Sequence, residues 1–197
     1  MAFGILALQG AVAQHLRSLR RFGVDGREVR TPAHLDGLDG LIIPGGESTT
    51  LGKLMARVGL DRALMDFATA GKPILGTCAG MILMARAVEG HDQPLLALMD
   101  IVVRRNAFGR QVESFEEDLQ VAGLDGTRFR GVFIRAPYIV EAGPDVEIMA
   151  EVDGHGVLAR QGNLIASAFH PELTEDLRLH KMFIDLTRHG GQSCPPE

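Results

Sequence analysis

Three short, almost continuously apolar runs dominate the first half of the chain: Phe3-Gly4-Ile5-Leu6-Ala7-Leu8, Gly40-Leu41-Ile42-Ile43 and Pro73-Ile74-Leu75-Gly76. Each stops at glycine or proline and is followed by a stretch of helical spacing. Apolar runs this short, with no polar alternation, fit strands covered on both faces, the situation found in parallel sheets flanked by helices. In residues 12–22, Val12, Leu16, Leu19 and Phe22 recur at steps of three and four, Gln14, Arg17, Arg20 and Arg21 take the other side, and Gly23 ends the run. Residues 50–58 and 61–70 read as helices parted by Gly59, and residues 81–88 as an apolar helix. Residues 27–30 make a further short strand. Strand patterns at 101–103, 132–134, 148–152, 156–159 and 164–168, some joined by turns such as Asp153-Gly154, precede a last helix at 175–187. The expected fold is α/β: a three-layer, open, mixed and mainly parallel sheet flanked by helices, with an antiparallel extension. No repeat or linker divides the 197 residues, so one domain is expected over residues 1–188, with a flexible tail at 189–197.

Composition removes several function classes. With 46% hydrophobic and 23% charged residues and no apolar run near the ~18 that a bilayer span needs, the chain reads as soluble, without a membrane role. A net charge of −5 gives no basic field for nucleic acid, although arginine outnumbers lysine 17 to three. That bias has no explanation in the sequence. Two cysteines, Cys78 and Cys194, are too few for a disulfide scaffold, and the N-terminus lacks signal-peptide character, so a cytoplasmic setting with Cys78 as a free thiol is expected. The seven histidines are scattered without metal-ligand spacing, so no metal site is expected.

In open α/β sheets the chemistry gathers beyond the carboxyl ends of the strands. Three loops qualify, those after residues 43, 76 and 168. Gly76-Thr77-Cys78-Ala79-Gly80 has the form of a nucleophile elbow: flanking glycines allow a sharp strand-to-helix turn, the next backbone N–H faces a developing oxyanion, and the helix N-terminus favours a thiolate. A buried cysteine acting as a small hydrophobe is the competing reading. Phe169-His170-Pro171-Glu172 supplies what a nucleophilic thiol needs, an imidazole base and, two residues on, a carboxylate to fix its tautomer. Read alone, that tetrapeptide would be a strand end entering a helix. Pro44-Gly45-Gly46-Glu47-Ser48-Thr49 fails as a phosphate loop, because five residues separate Gly46 from Gly52-Lys53 and Leu54 replaces the Ser or Thr. It suits the other half of an oxyanion hole, Gly46 N–H acting with Ala79 N–H, and also a helix entrance capped by Ser48 or Thr49.

Together these residues resemble the class I (triad) glutamine amidotransferases, a flavodoxin-like family, and within them the glutaminase subunits of pyridoxal 5'-phosphate synthase. The resemblance covers residues 4–188. Beyond the elbow and His170-Pro171-Glu172 it rests on Leu8-Gln9-Gly10-Ala11 with His15, the 44–50 loop, Arg105-Asn106-Ala107-Phe108-Gly109-Arg110-Gln111, Phe133-Ile134-Arg135-Ala136-Pro137, and the continuation to Leu173-Thr174. Ala107 departs from the serine common in this branch. The resemblance implies hydrolysis of L-glutamine by a Cys78, His170, Glu172 triad through a γ-glutamyl thioester. Gly46, Glu47, Ser48, Arg105, Ile134 and Arg135 would bind glutamine. The ammonia would pass to a (β/α)8-barrel synthase subunit in a hetero-oligomer making pyridoxal 5'-phosphate (vitamin B6), the product of the complex and not a cofactor of this chain. The sheet and its loops use nearly the whole chain, which also places the ammonia acceptor on a partner. On the sequence alone two rivals stay open: another thiol hydrolase, such as a γ-glutamyl peptidase or an esterase, and a non-catalytic module with Cys78 as sensor or core thiol. The other histidines, with His15 a candidate exception, read as surface or helix-packing residues.

Overall fold

A computed structural model describes residues 1–108 and 114–189. In chain order the first half runs β1 (Ala2–Leu6), α1 (Val12–Arg20), β2 (Asp25–Val29), β3 (Gly40–Ile43), α2 (Ser48–Val58), α3 (Leu60–Thr69), β4 (Ile74–Thr77), α4 (Ala79–Met84) and β5 (Ala85–Val88). The second half adds β6 (Met99–Arg104), β7 (Ser114–Leu119), β8 (Phe129–Ile134), β9 (Tyr138–Ala142), β10 (Glu147–Val152), β11 (His155–Gln161), β12 (Leu164–Ser167) and α5 (Arg178–His189). The main sheet has the order β2-β1-β3-β4-β12-β11-β9-β6-β5, with β10 paired to β11, while β7 and β8 form a separate antiparallel pair.

Strands β2, β1, β3, β4 and β12 are mutually parallel. Their carboxyl ends therefore share one edge. From β12 through β11 and β9 to β6 the pairing is antiparallel. This is the mixed α/β sheet that the sequence predicts, and the turn at Asp153-Gly154 joins β10 to β11 as expected. Every residue of β1, β3 and β4 is buried, which requires cover on both sheet faces, and the helices provide it. Leu19 of α1, Leu51 and Met55 of α2, Leu60 and Leu64 of α3, and Phe183 of α5 turn their apolar stripes inward. Phe183 meets Phe3 of β1 edge to face, with centroids 5.3 Å apart. Among the described residues no helix is long and apolar enough to cross a membrane.

Three local expectations need correction. The helix expected at 81–88 ends at Met84, where Ala85 turns extended and β5 pairs with β6. All six residues of α4 are buried, so no polar face exists to separate helix from strand by periodicity. The last helix starts at Arg178 instead of 175, because residues 171–173 form a 3-10 turn and the Asp176 carboxylate accepts from the Arg178 N–H at 3.0 Å. Strands β7 and β9 have no counterpart among the expected strands: the acids of β7, Ser-Phe-Glu-Glu-Asp-Leu, face solvent, and it is held by β8 and by Phe115, which stacks on Phe133 at 4.5 Å, while β9 is held between β11 and β6. The tail expected at 189–197 begins on α5, which reaches His189, and residues 190–197, with Cys194, lie outside the described residues.

The turn from β4 into α4 fits tightly under β3. A Cβ placed on Gly80 would stand 2.1 Å from the Ile43 carbonyl oxygen, a backbone atom that cannot step aside. Helix propensity alone would make Gly80→Ala stabilising by about 1 kcal/mol. The collision reverses the sign. Thermal unfolding of Gly80→Ala is expected to show a loss of about 3 kcal/mol, the scale of overpacking in a close-packed core; an unchanged or higher melting temperature would refute this packing account.

Candidate active site

Cys78 sits where β4 ends and α4 begins, with φ 50° and ψ −102°. A non-glycine residue in this left-handed region is strained, and such strain persists only where the surroundings impose it. Here they do. The Cys78 N–H donates to Ser167 O on β12 at 2.7 Å, and the first turn of the buried α4 follows at once. Cys78 is 8% exposed, and its Sγ reaches the Ile134 carbonyl oxygen at the end of β8, 3.8 Å away.

His170 follows β12, three residues beyond Ser167, and its N–H donates to Val132 O at 2.9 Å. Its ring faces Cys78 on one side, near enough for the sulfur to favour the protonated ring. On the other, Nδ1 lies 2.7 Å from Glu172 Oε1. The Gly45 turn closes over this pair: a Cβ at Gly45 would be 2.5 Å from His170 Cε1 and 3.5 Å from the Cys78 Cβ. Burial presses the imidazolium toward its neutral form, but the Cys78 sulfur and the Glu172 hydrogen bond, with their charges, prevail and raise its pKa to about 10. Burial likewise pushes the Glu172 carboxyl up, and His15 together with the hydrogen bond and charge of His170 outweighs it, holding the pKa below the usual carboxylate value. Cys78, His170 and Glu172 thus form one continuous line.

Behind Glu172 stands a second pair. His15 of α1 and His180 of α5 are both wholly buried, and His15 Nε2 lies 3.4 Å from Glu172 Oε2. They belong to helix packing, not to the surface, and the sequence assigned neither to the site, although His15 lay in one of its motifs.

A polar cluster occupies the loop after β3. The cap of α2 is Glu47, not Ser48 or Thr49: its carboxylate accepts from Thr49 N–H at 3.1 Å and Thr50 N–H at 2.7 Å. Arg105 donates to Glu47 at 3.0 Å, Gln93 at 2.9 Å and Thr49 at 3.2 Å, and Ser48 hydrogen-bonds Gln93 at 3.2 Å. Gln9, from the loop after β1, accepts from the Glu47 N–H at 3.0 Å. The Thr50 hydroxyl is the main cause that lowers the Glu47 pKa to about 2, with the Thr50 and Thr49 amides and Arg105 adding to it against burial. Neither Gln9 nor Gln93 is marked by any charge or spacing signal, though Gln9 stands in the Leu8-Gln9-Gly10-Ala11 motif. Ala79, an expected oxyanion donor, is the first residue of α4 directly after Cys78, and Gly46, the other, lies in the loop after β3 next to Gly45. Arg135 is exposed with φ 43°, directly after Ile134, and Ala107 N–H donates to Ala136 O at 3.0 Å, which ties the Arg105 and Arg135 segments together. Gly109, Arg110 and Gln111 fall outside the described residues.

A cleft of about 810 Å³ elsewhere on the molecule lies between β7 and β10, lined by Phe108, Phe115 and Met149 among others, and none of Cys78, His170 and Glu172 borders it. Among the described residues no Cys, Ser, Thr, Lys or His lines it. Among the described residues no three His, Cys, Asp or Glu side chains are grouped to hold a metal ion. What the Cys78 edge can do is acyl transfer: a thiol, a base, a carboxylate that fixes the base, and backbone amides beside them.

Comparison with known proteins agrees with this chemistry. The model of the SNO glutamine amidotransferase family matches residues 5–189. A Pelotomaculum thermopropionicum protein named pyridoxal 5'-phosphate synthase subunit PdxT is 53% identical over 194 residues, 98% of this chain and 99% of the relative. One of the same name from Brevibacillus brevis is 54% identical over 188 residues, 95% and 98% of the two chains. A crystal structure titled glutamine amidotransferase superposes with a TM-score of 0.90 at 49% identity, covering 94% of this chain and 98% of the other.

The Glu47 cap has a measurable consequence. Because its folded pKa lies near 2 against an ordinary 4.5, its contribution is complete above pH 4.5 and fades as the pH falls toward 2. At pH 7, Glu47→Ala should melt a few degrees below the wild-type chain, as loss of a cap worth about 1 kcal/mol implies. That gap should close on acidification through this window; a gap constant with pH would show that the carboxylate charge contributes nothing.

Proposed function

The chain belongs to the SNO glutamine amidotransferase family, and we propose that it hydrolyses L-glutamine to L-glutamate and ammonia as the glutaminase subunit of a pyridoxal 5'-phosphate synthase. The observation that carries this reading is the line from the Cys78 thiol through the His170 ring to Glu172, 2.7 Å beyond it. The proton shared by Cys78 and His170 rests on the His170 ring, whose pKa is raised well above neutral, and the thiolate attacks the carboxamide carbon of glutamine. Negative charge gathers on the carboxamide oxygen, where the Ala79 and Gly46 amides stabilise it. The C–N bond then breaks, His170 gives its proton to the departing nitrogen, and ammonia leaves behind a γ-glutamyl thioester. Water, deprotonated by His170, attacks the thioester carbon; glutamate departs and the thiol is restored. Glu172 keeps His170 Nδ1 protonated and stabilises the imidazolium through both halves.

Glutamine carries its own pair of opposite charges at the α-carbon, and the Glu47–Arg105 pair offers the complement: Glu47 for the α-ammonium, the planar fork of Arg105 for the α-carboxylate. Ser48, Ile134 and Arg135 complete the pocket beside it, the Ile134 backbone lying against the nucleophile. The ammonia is consumed by a synthase subunit, a (β/α)8 barrel, that builds pyridoxal 5'-phosphate; this chain needs no cofactor for its own half-reaction.

Glutamate release measured with and without the synthase subunit tests the reading. Cys78→Ala should lose about 10⁴-fold or more of the rate while melting normally, whereas Glu172→Gln should lose less, because it removes orientation and charge but no bond-making atom. Glutamate production by Cys78→Ala would sink the assignment. A γ-glutamyl peptide cleaved faster than glutamine would move the chain to another class of thiol hydrolase.

A further inference from the structure

The triad uses one oxygen of Glu172. The other, Oε2, points away from His170 into a pocket with no water-facing side, since the Glu172, His15 and His180 side chains are all fully buried. His15 Nε2 stands 3.4 Å from this oxygen and 3.5 Å from the Thr77 hydroxyl, and His15 Nδ1 lies 3.1 Å from His180 Nε2. Among the described residues, Glu172 Oε2 and His180 Nδ1 have no partner at full hydrogen-bond geometry.

Giving Oε2 a donor fixes the protons along this chain. An ionised carboxylate only accepts, so the nitrogen facing Oε2 must carry its hydrogen. Burial keeps His15 neutral against the pull of Glu172, with the charge of His170 assisting, so Nδ1 is bare and accepts. The nitrogen of His180 that faces it must then carry the hydrogen. Burial, followed by the effect of His15, holds His180 neutral with a pKa of about 3, and its Nδ1 is left as the unprotonated end of the chain. The two N–H groups then follow one another, His180 toward His15 and His15 toward Glu172. A neutral donor pair suits this position: it stabilises the carboxylate without adding a second cation that would compete with His170 for it.

We infer that His15, backed by His180, is a positioning residue of the glutaminase, anchoring the distal oxygen of Glu172 so that its near oxygen holds the His170 ring toward Cys78. This rests on the glutaminase reading above. His15 touches no reacting atom and is set apart from the Glu47–Arg105 cluster, so it should act on kcat and not on KM. The groups facing it are Glu172 and Thr77 on one side and His180 on the other, with His170 beyond Glu172. Arg17, Arg21 and Glu175 line a separate opening on the outer side of Glu172, and Lys181 of α5 pairs with Asp185.

The test uses the full chain with its synthase partner for turnover and the full chain alone for 15N NMR of the imidazoles. His15→Leu, which keeps bulk and removes the donor, should lower kcat by about tenfold with KM within about twofold, and the His170 titration should move down from about 10 by about one unit, because a less anchored carboxylate holds the imidazolium less well. His15→Gln, whose amide can still donate, should recover most of both. In a Glu172→Gln background His15→Leu should cost nothing further. If His15→Leu is too unstable to assay, His180→Leu should show a smaller change in the same direction. Equal losses in His15→Leu and His15→Gln, a loss that persists in the Glu172→Gln background, or an unmoved His170 titration would overturn the inference. A wild-type chain that releases no glutamate would instead overturn the glutaminase reading, which the NMR titration does not require.

Discussion

A carboxylate with no exposed surface is the constraint around which this molecule is built. An ionised group taken out of water costs several kcal/mol unless donors replace its hydration. His170 hydrogen-bonds one oxygen of Glu172 and His15 stands 3.4 Å from the other, and those residues arrive from the loop after β12 and from α1. The charge is stable only when the sheet edge, α1 and α5 are packed as they are. The fold therefore holds an anion that could not survive alone in its interior, and that anion holds a cation, the His170 imidazolium, beside the thiol.

The same edge carries the strain. Cys78 is held at a positive φ by Gly80 lying flat against the Ile43 carbonyl and by the hydrogen bond from its own N–H to Ser167. Burial of β3, β4 and β12 on both faces supplies the rigidity that keeps it there.

Much of this could be read from the chain. Continuous apolar runs ending in glycine marked β1, β3 and β4, and Cys78, His170 and Glu172, which the sequence reads as a candidate nucleophile, base and orienting acid, are brought together by the fold. What escaped the sequence escaped for physical reasons. Six buried residues of α4 offer no polar face, so Met84 cannot be distinguished as its end. Strand β7 is acidic and exposed, and its extended form comes from a partner strand and one phenylalanine stack. His15 and His180 are 165 positions apart, and nothing in either helix alone says that their rings meet at 3.1 Å. Glu47 displaced the shorter hydroxyl side chains as cap because its carboxylate reaches the Thr49 and Thr50 amides and the Thr50 hydroxyl together, with Arg105 arriving from a distant strand end.

The register of β4 against β12 pairs Thr77 with Ser167, so the residues bearing the thiol and the imidazole leave neighbouring strands from a shared starting line. Strand β8 fastens to both, accepting from the His170 N–H at Val132 and meeting the Cys78 sulfur at Ile134. Two instruments bolted to the same rail keep their spacing when the rail shifts. A displacement of the outer hairpin β7–β8, or of a body pressed against it, is transmitted to nucleophile and base together, and the gap across which the proton travels is shielded from it.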